Sequence, residues 1–296
     1  MVGVIGGTLW TFAVGEGFGS AAVAGASFWY FPGELPNQKQ TWEWKYNAHT
    51  ATGAWGGLTR VNYHSATDPG GGAITTIGYY FLRMRNDDSF RLSRITDAGI
   101  TDLGTAAITT LYSGEIYRQT LTTRYDQSSG AQSLLAEYFG RARTSNAPGA
   151  AAYNLAAIAD PCVLRVEADG VNRDVTFASG DPLIAAFNAV TNAEVADVIN
   201  AQIGAYVRAW VPAAATYVAI SSLLFGASGQ VRIVAAAPLD DANTALAYAL
   251  LGPGNVGEYH ALASADNTFV MGFNGARGGY VADTSTYLRY YALEGI

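Results

Sequence analysis

Ile77-Gly78-Tyr79-Tyr80-Phe81-Leu82-Arg83-Met84-Arg85, then Asn86-Asp87-Asp88-Ser89, then Phe90-Arg91-Leu92-Ser93-Arg94-Ile95, is the stretch whose reading decides the fold. Tyr80, Leu82 and Met84 alternate with Arg83 and Arg85, the period of two that puts one side of a strand in a core and the other toward solvent. The polar Asn-Asp-Asp-Ser run between two such segments predicts a hairpin.

Outward from this hairpin the pattern repeats. Toward the N-terminus, Trp42, Trp44 and Tyr46 fall on one face of a strand, with Thr41, Glu43 and Lys45 on the other. Toward the C-terminus, segments at Ile108 to Tyr112, Glu115 to Thr122 and Ser133 to Phe139 are each bounded by Gly, Asp or Ser. Strands at this spacing with no helical stretch between them predict an antiparallel sandwich or barrel. The first 26 residues, rich in Gly, Ala and Val and without a clear period, read as an extended N-terminal arm or as irregular strands.

At Arg143 to Ala152 the composition shifts to Ser, Asn, Pro, Gly and Ala, which reads as a linker. After it, Cys162 to Glu167 and Asn172 to Phe177 flank Asp169-Gly170, a hairpin dipeptide. Thr191-Asn192-Ala193-Glu194 has capping-box spacing, and Val195, Val198, Ile199 and Ile203 continue it as a helical stripe. Strand patterns follow at Tyr206 to Trp210, Tyr217 to Ser221 and Val231 to Ala235, and Asp240 or Asp241 caps a second predicted helix through Leu251. Short strands return at Thr268 to Phe273 and Tyr287 to Leu293. The predicted organisation is mainly β: an arm over 1–26, a discontinuous sandwich over 27–145 and 255–296, and an inserted α+β module over 155–252.

The 296 residues are 50% hydrophobic but only 14% charged, against about 25% charged in an average soluble protein. Together with 34 Gly and 18 Tyr, this points to an outside covered in part by other subunits. The net charge of −7 removes the counterion-release force that draws proteins to nucleic acid. The basic run Arg83, Arg85, Arg91, Arg94 reads as a solvated sheet face. A single cysteine, Cys162, excludes an intrachain disulfide and fits folding in a reducing cytoplasm. No apolar run reaches the roughly 18 residues of a membrane span, and the N-terminus has no cation ahead of its apolar stretch, so neither membrane insertion nor a signal peptide is expected.

Catalytic chemistry has few candidates. Gly15, Gly17 and Gly19 place the third glycine one position too early for a dinucleotide loop. His49, His64 and His260 are widely separated, with no zinc-ligand spacing. The pairs Asp87-Asp88 and Asp240-Asp241 lack the alternating oxygen ligands of a calcium loop and read as turn or cap residues. There is no GxSxG, and Cys162 sits in an apolar strand pattern. Glu43 lies between two tryptophans but has no second carboxylate nearby on its strand for glycoside hydrolysis. No catalytic residue, cofactor or metal is expected. Trp42, Trp44 and Trp55 are the candidate glycan contacts, because aromatic faces stack on sugars.

Gly78 to Met84, Phe90 to Ile95 and Tyr117-Arg118-Gln119-Thr120-Leu121 resemble the middle strands of concanavalin A-like (laminin-G-like) jelly-roll sandwiches. Val270-Met271-Gly272-Phe273 and Tyr280-Val281-Ala282-Asp283 resemble that family's closing strands. The resemblance covers about half of the chain and implies a jelly-roll-like sandwich interrupted by an inserted module. The paired Glu/Asp strand motif of the family's glucanases is missing, so no hydrolase activity carries over. The stretch from Leu164 to Glu167 through Val175 to Phe177 and on to Thr191 to Ala201, with the later Gly226-Ala227-Ser228-Gly229 turn, resembles a small module of bacteriophage tail, baseplate and other virion proteins. It implies a non-enzymatic virion structural protein (capsid decoration, head fibre, tail fibre or baseplate component) assembled in the host cytoplasm. Its partners would be copies of itself, other virion proteins and a cell-surface glycan. The alternative expectation is a free carbohydrate-binding, lectin-like protein.

Overall fold

The computed structural model describes residues 4–5, 10–12, 19–21, 27–31, 35, 37–46, 54–65, 74–85, 87–96, 98–144, 152–158, 160–212, 217–234, 257–270, 273–278 and 287–296. In chain order the first strands are β1 (Val4–Ile5), β2 (Trp10–Phe12), β3 (Gly19–Ala21), β4 (Ser27–Phe31), β5 (Gln38–Lys45) and β6 (Ala54–Ser65). Next come β7 (Ile74–Arg85), β8 (Ser89–Thr96), β9 (Gly99–Ala107), β10 (Ile116–Asp126) and β11 (Ala131–Arg143). They are followed by β12 (Ala152–Tyr153), β13 (Cys162–Ala168), β14 (Val171–Phe177), β15 (Val190–Thr191) and the helix α1 (Asn192–Ile203). The last are β16 (Val207–Trp210), β17 (Ala219–Phe225), β18 (Val231–Val234), β19 (Glu258–Ser264), β20 (Phe273–Gly278) and β21 (Tyr287–Gly295). The chain divides into one unit of Met1–Tyr138 with His260–Ile296 and a second of Phe139–Tyr259.

The first unit is a mainly β, antiparallel sandwich. One sheet has the order β1-β4-β20-β6-β7-β8-β9, and the other runs β11-β10-β5-β21-β3-β2 with β19 beside β11. Alternation along β5 turns Trp42, Trp44 and Tyr46 inward, where they meet Tyr80, Leu82 and Met84 of β7. Each fully buried side chain of this size contributes about 1.5–3 kcal/mol. Register is set by short turns. Arg85 pairs with Ser89 around a three-residue loop with Asp88 at φ 55°, the left-handed position such a loop requires. A second apolar cluster, Leu58, Val61, Tyr79, Phe81 and Ile95, occupies the opposite face of the β6–β8 sheet.

Between the sheets lies a polar cluster with no solvent exposure: Gln38, Gln40, Thr59 and Asn274. Both glutamine amides donate to Thr59 Oγ1 (3.1 and 2.8 Å) and Asn274 Oδ1 (2.9 and 3.0 Å). Asn274 Nδ2 returns a bond to Gln38 Oε1 at 3.0 Å. Buried amides are tolerated only when satisfied in this way.

Several expectations change. Of the two readings of the 1–26 segment, its described parts take the second and are strands of both sheets: β1 pairs with β4, while β2 pairs with β3 and β3 with β21. Ile108 to Tyr112 is irregular, because its backbone turns to give the Leu111 amide to Asp88 Oδ1 (3.1 Å). Residues 265–270 are irregular too, held by Tyr80 and Gln132, and the strand begins at Phe273. The C-terminal β20 pairs with β4 and β6, and β21 pairs with β5.

The second unit contains a three-stranded sheet β14-β13-β18, the pair β12-β15, and β16-β17 continued by the end of β11. The β13–β14 hairpin turns on Asp169 and Gly170, both at positive φ. Thr191 caps α1: its Oγ1 accepts from the Glu194 amide, and Glu194 Oε2 accepts from the Thr191 amide at 2.7 Å. The stripe Val195, Val198, Ile199, Ile203 packs into the same core as Val166 and Ile220. The second predicted helix, from Asp240 or Asp241 to Leu251, lies outside the described residues. Among the described residues no helix is long and apolar enough to cross a membrane.

Candidate interaction surface

The predicted glycan contacts move first. Trp42, Trp44 and Trp55 have no solvent exposure. The alternation that aligns Trp42 and Trp44 also turns them into the space between the sheets, and Trp55 stacks on Tyr46 there (centroids 5.1 Å). None of the three presents a ring on which a sugar can stack.

Glu43 accepts from Arg118 at 2.6 and 3.0 Å on the outer face of its sheet. Cys162 is buried in the second unit's core. His260 lies against Tyr138 at 6.1 Å between ring centroids, and His49 is outside the described residues. Among the described residues, no group of three or more His, Cys, Asp or Glu side chains is placed to hold a metal ion.

The basic run is not one solvated face. Arg94 points to the inner side and pairs with Asp266 at 2.6 Å. Arg83, 8% exposed, donates to Ser93 Oγ (2.8 Å) and to Asp102 on the opposite side of the sheet. Arg91 bonds Asp102 at 2.8 Å and reaches Asp87 at 3.3 Å, and Arg85 reaches Asp87 at 3.2 Å. Burial disfavours the Asp102 carboxylate, but hydrogen bonds from Ser93, Arg91 and Arg83 outweigh it and hold this carboxyl below the usual range. Arg83, Arg85 and Arg91 are thus neutralised by Asp87 and Asp102 of the β7–β9 segment, and Arg94 by Asp266.

This network leads to β9, which is the candidate surface. Among the described residues β9 pairs only with β8 and ends its sheet. It carries one charged side chain, Asp102, which the network engages, and Ile100 is 57% exposed. Leu92 pairs with Gly104 and Ser93 with Asp102, so Leu103 is an extra residue, a β-bulge. The strand was not legible in the sequence because the bulge breaks its alternation. The surviving signal is Gly99 closing a two-residue turn, Thr96 pairing with Gly99.

Edges in the second unit are treated differently. The Gln202 side chain accepts from the Thr176 amide (2.8 Å) and donates to the Thr176 carbonyl (2.6 Å), closing β14 as a neighbouring strand would. β16 is closed in the same way from α1. Sheet edges present rows of donors and acceptors ready for another chain, and β9 has no such side-chain cover among the described residues. Comparison with protein-family models, curated proteins and solved structures finds no match to this chain.

Proposed function

We propose that this chain is a non-enzymatic structural component of a bacteriophage virion, in a capsid decoration, head-fibre, tail-fibre or baseplate role, assembled in the host cytoplasm. The observation that carries the reading is β9: a nine-residue edge strand whose single charge is engaged by side chains of its own sheet and whose Ile100 faces solvent. Sheet edges are blunted by charges, bulges or covering groups; α1 covers β14 and β16, while β9 carries only a single bulge and one engaged carboxylate. The low charge content supports the same reading, as do the sequence resemblances to a jelly-roll-like sandwich and to a virion module. The alternative, a free lectin-like carbohydrate binder, is less well supported, because its candidate tryptophans are buried.

The test is mass spectrometry of purified phage particles from cells that produce the chain, with particle morphology compared after the coding sequence is disrupted. Stoichiometric presence and a missing or altered feature are expected. Absence from the particles, together with glycan-array binding by the isolated chain, would replace this reading with the lectin one.

A further inference from the structure

We infer that a second copy of this chain adds to the edge of β9, antiparallel, about a two-fold axis that passes between Leu103 and Gly104. This rests on reading β9 as an assembly edge and names its partner.

Ile108 donates to the Asp88 carbonyl at 2.9 Å. Amide and carbonyl directions alternate along a strand, so Gly104 and Ala106 also turn toward β8, and Thr105 and Ala107 turn away from it. At the other end the two-residue turn makes Thr96 and Gly99 a hydrogen-bonded pair. Gly99 and Thr101 therefore turn toward β8, and Ile100 and Asp102 turn away. The bulge at Leu103 shifts the alternation between the halves. The free edge offers the backbone groups of Ile100, Asp102, Thr105 and Ala107.

Side chains follow the same order. Ile100 lies opposite Ile95, Asp102 opposite Ser93, Thr105 opposite Arg91 and Ala107 opposite Ser89, all on the outer face. Thr101, Gly104 and Ala106 lie opposite Arg94, Leu92 and Phe90 on the other face, where Leu103 and Ala106 pack against the inter-sheet core and Thr101 is exposed. Read from either end, the sequence of faces and of edge-directed groups is the same about the Leu103–Gly104 bond. Two β9 strands related by a two-fold there match Ile100 with Ala107 and Asp102 with Thr105. Each matched residue exchanges a donor and an acceptor with its opposite. A register shifted by one residue would set outward-facing side chains against inward-facing ones.

Charge and size agree. Asp102 meets a threonine instead of the other Asp102, so no carboxylate opposes a carboxylate. Beyond that threonine stands the partner copy's arginine equivalent to Arg91, which extends the alternation of cation and anion across the axis. Ile100, the largest exposed side chain of β9, meets the small Ala107. A face that complements itself in this way forms a closed two-fold dimer.

The test uses the full chain in sedimentation across a roughly hundred-fold concentration range. A concentration-dependent dimer is expected. Thr105→Pro removes an amide turned away from β8 and is expected to give monomer whose melting temperature matches that of the parent at concentrations too low to dimerise. Ile100→Lys serves as the second variant if the proline unfolds the sheet. For register, Ile100→Cys combined with Ala107→Cys is expected to form a disulfide-linked dimer on oxidation, with either single variant linking several-fold less, since native Cys162 is buried. A chain monomeric throughout, a dimer indifferent to both β9 variants, or equal linkage by Ile100→Cys alone would overturn the pairing. If the chain is nonetheless found in particles, the virion reading stands without it. A β9 dimer absent from particles has the reverse meaning.

Discussion

Asn200 of α1 closes the edge of β16 by donating from Nδ2 to the Ala209 carbonyl (2.8 Å) and accepting at Oδ1 from the Ala209 amide (2.9 Å). Two residues further along the helix, Gln202 does the same for Thr176 of β14. A primary amide carries the donor and acceptor of a peptide group, so one helix completes two sheet edges that point in different directions. The capping box fixes where α1 starts, and so fixes the register that brings both amides to their strands.

Asn200→Ala is expected to lower the unfolding free energy by about 1–3 kcal/mol, because Ala209 is buried and its amide and carbonyl lose their partner. Asn200→Asp should lose a similar amount at neutral pH, since a carboxylate cannot donate to the Ala209 carbonyl. Urea unfolding measures both. Parental stability in the alanine variant would show that the edge does not need its cap.

Asn274→Leu removes the shared acceptor of Gln38 and Gln40 and the donor to Gln38. These side chains are fully buried, and amides left unpaired there cost about 2–4 kcal/mol in total. Thr59→Val should cost less, about 1–2 kcal/mol, because Asn274 still accepts from both glutamines. A leucine variant as stable as the parent in chemical unfolding would contradict the cluster's role in joining the sheets.

Sequence periodicity carried the parts of the fold whose alternation is unbroken: β5, the β7–β8 and β13–β14 hairpins, and α1. It missed β6 and β9 for the same physical reason. Thr59 pairs with Tyr80 and Asn62 with Gly78, so Arg60 and Val61 form a bulge, as Leu103 does in β9. Each bulge shifts the in-out order by one, and Gly56 and Gly57 remove side chains from the pattern as well. The tryptophans show the converse limit. Alternation groups Trp42 and Trp44 on one face, but only the partner sheet shows that this face is the closed interior. The pairing of Arg83 and Arg91 with Asp102 was hidden because it crosses to a strand that the pattern did not reveal.

Gly57→Ala is expected to destabilise the sandwich by about 1–3 kcal/mol through overpacking, since a Cβ there would sit 2.5 Å from ring atoms of Trp42. Gly180→Ala is the control: nothing lies within 4 Å of its Cβ position, and its effect should stay within about 0.5 kcal/mol. If the two variants melt at the same temperature, Trp42 does not pack on the backbone of β6 as described.

Asp102 is burdened by burial, yet Ser93, Arg91 and Arg83 hold its carboxyl below the usual range. A carboxyl depressed by folding binds protons more readily in the unfolded chain, so its stabilisation is complete above about pH 4 and is lost as pH falls through the lower folded value. With its side chain 29% exposed, the contribution is discounted for solvent to about 1 kcal/mol. Asp102→Asn should therefore be less stable than the parent at pH 7 by about that amount. Other carboxylates also lose their partners in acid, so the informative quantity is the difference between the two proteins. Urea unfolding from pH 7 to 3 should show that difference shrinking below about pH 4, and the protection of β9 amides relative to free peptide at the same pH should fall over that window in the parent alone. A difference that stays constant with pH would mean that Asp102 supports β9 through shape and not through charge.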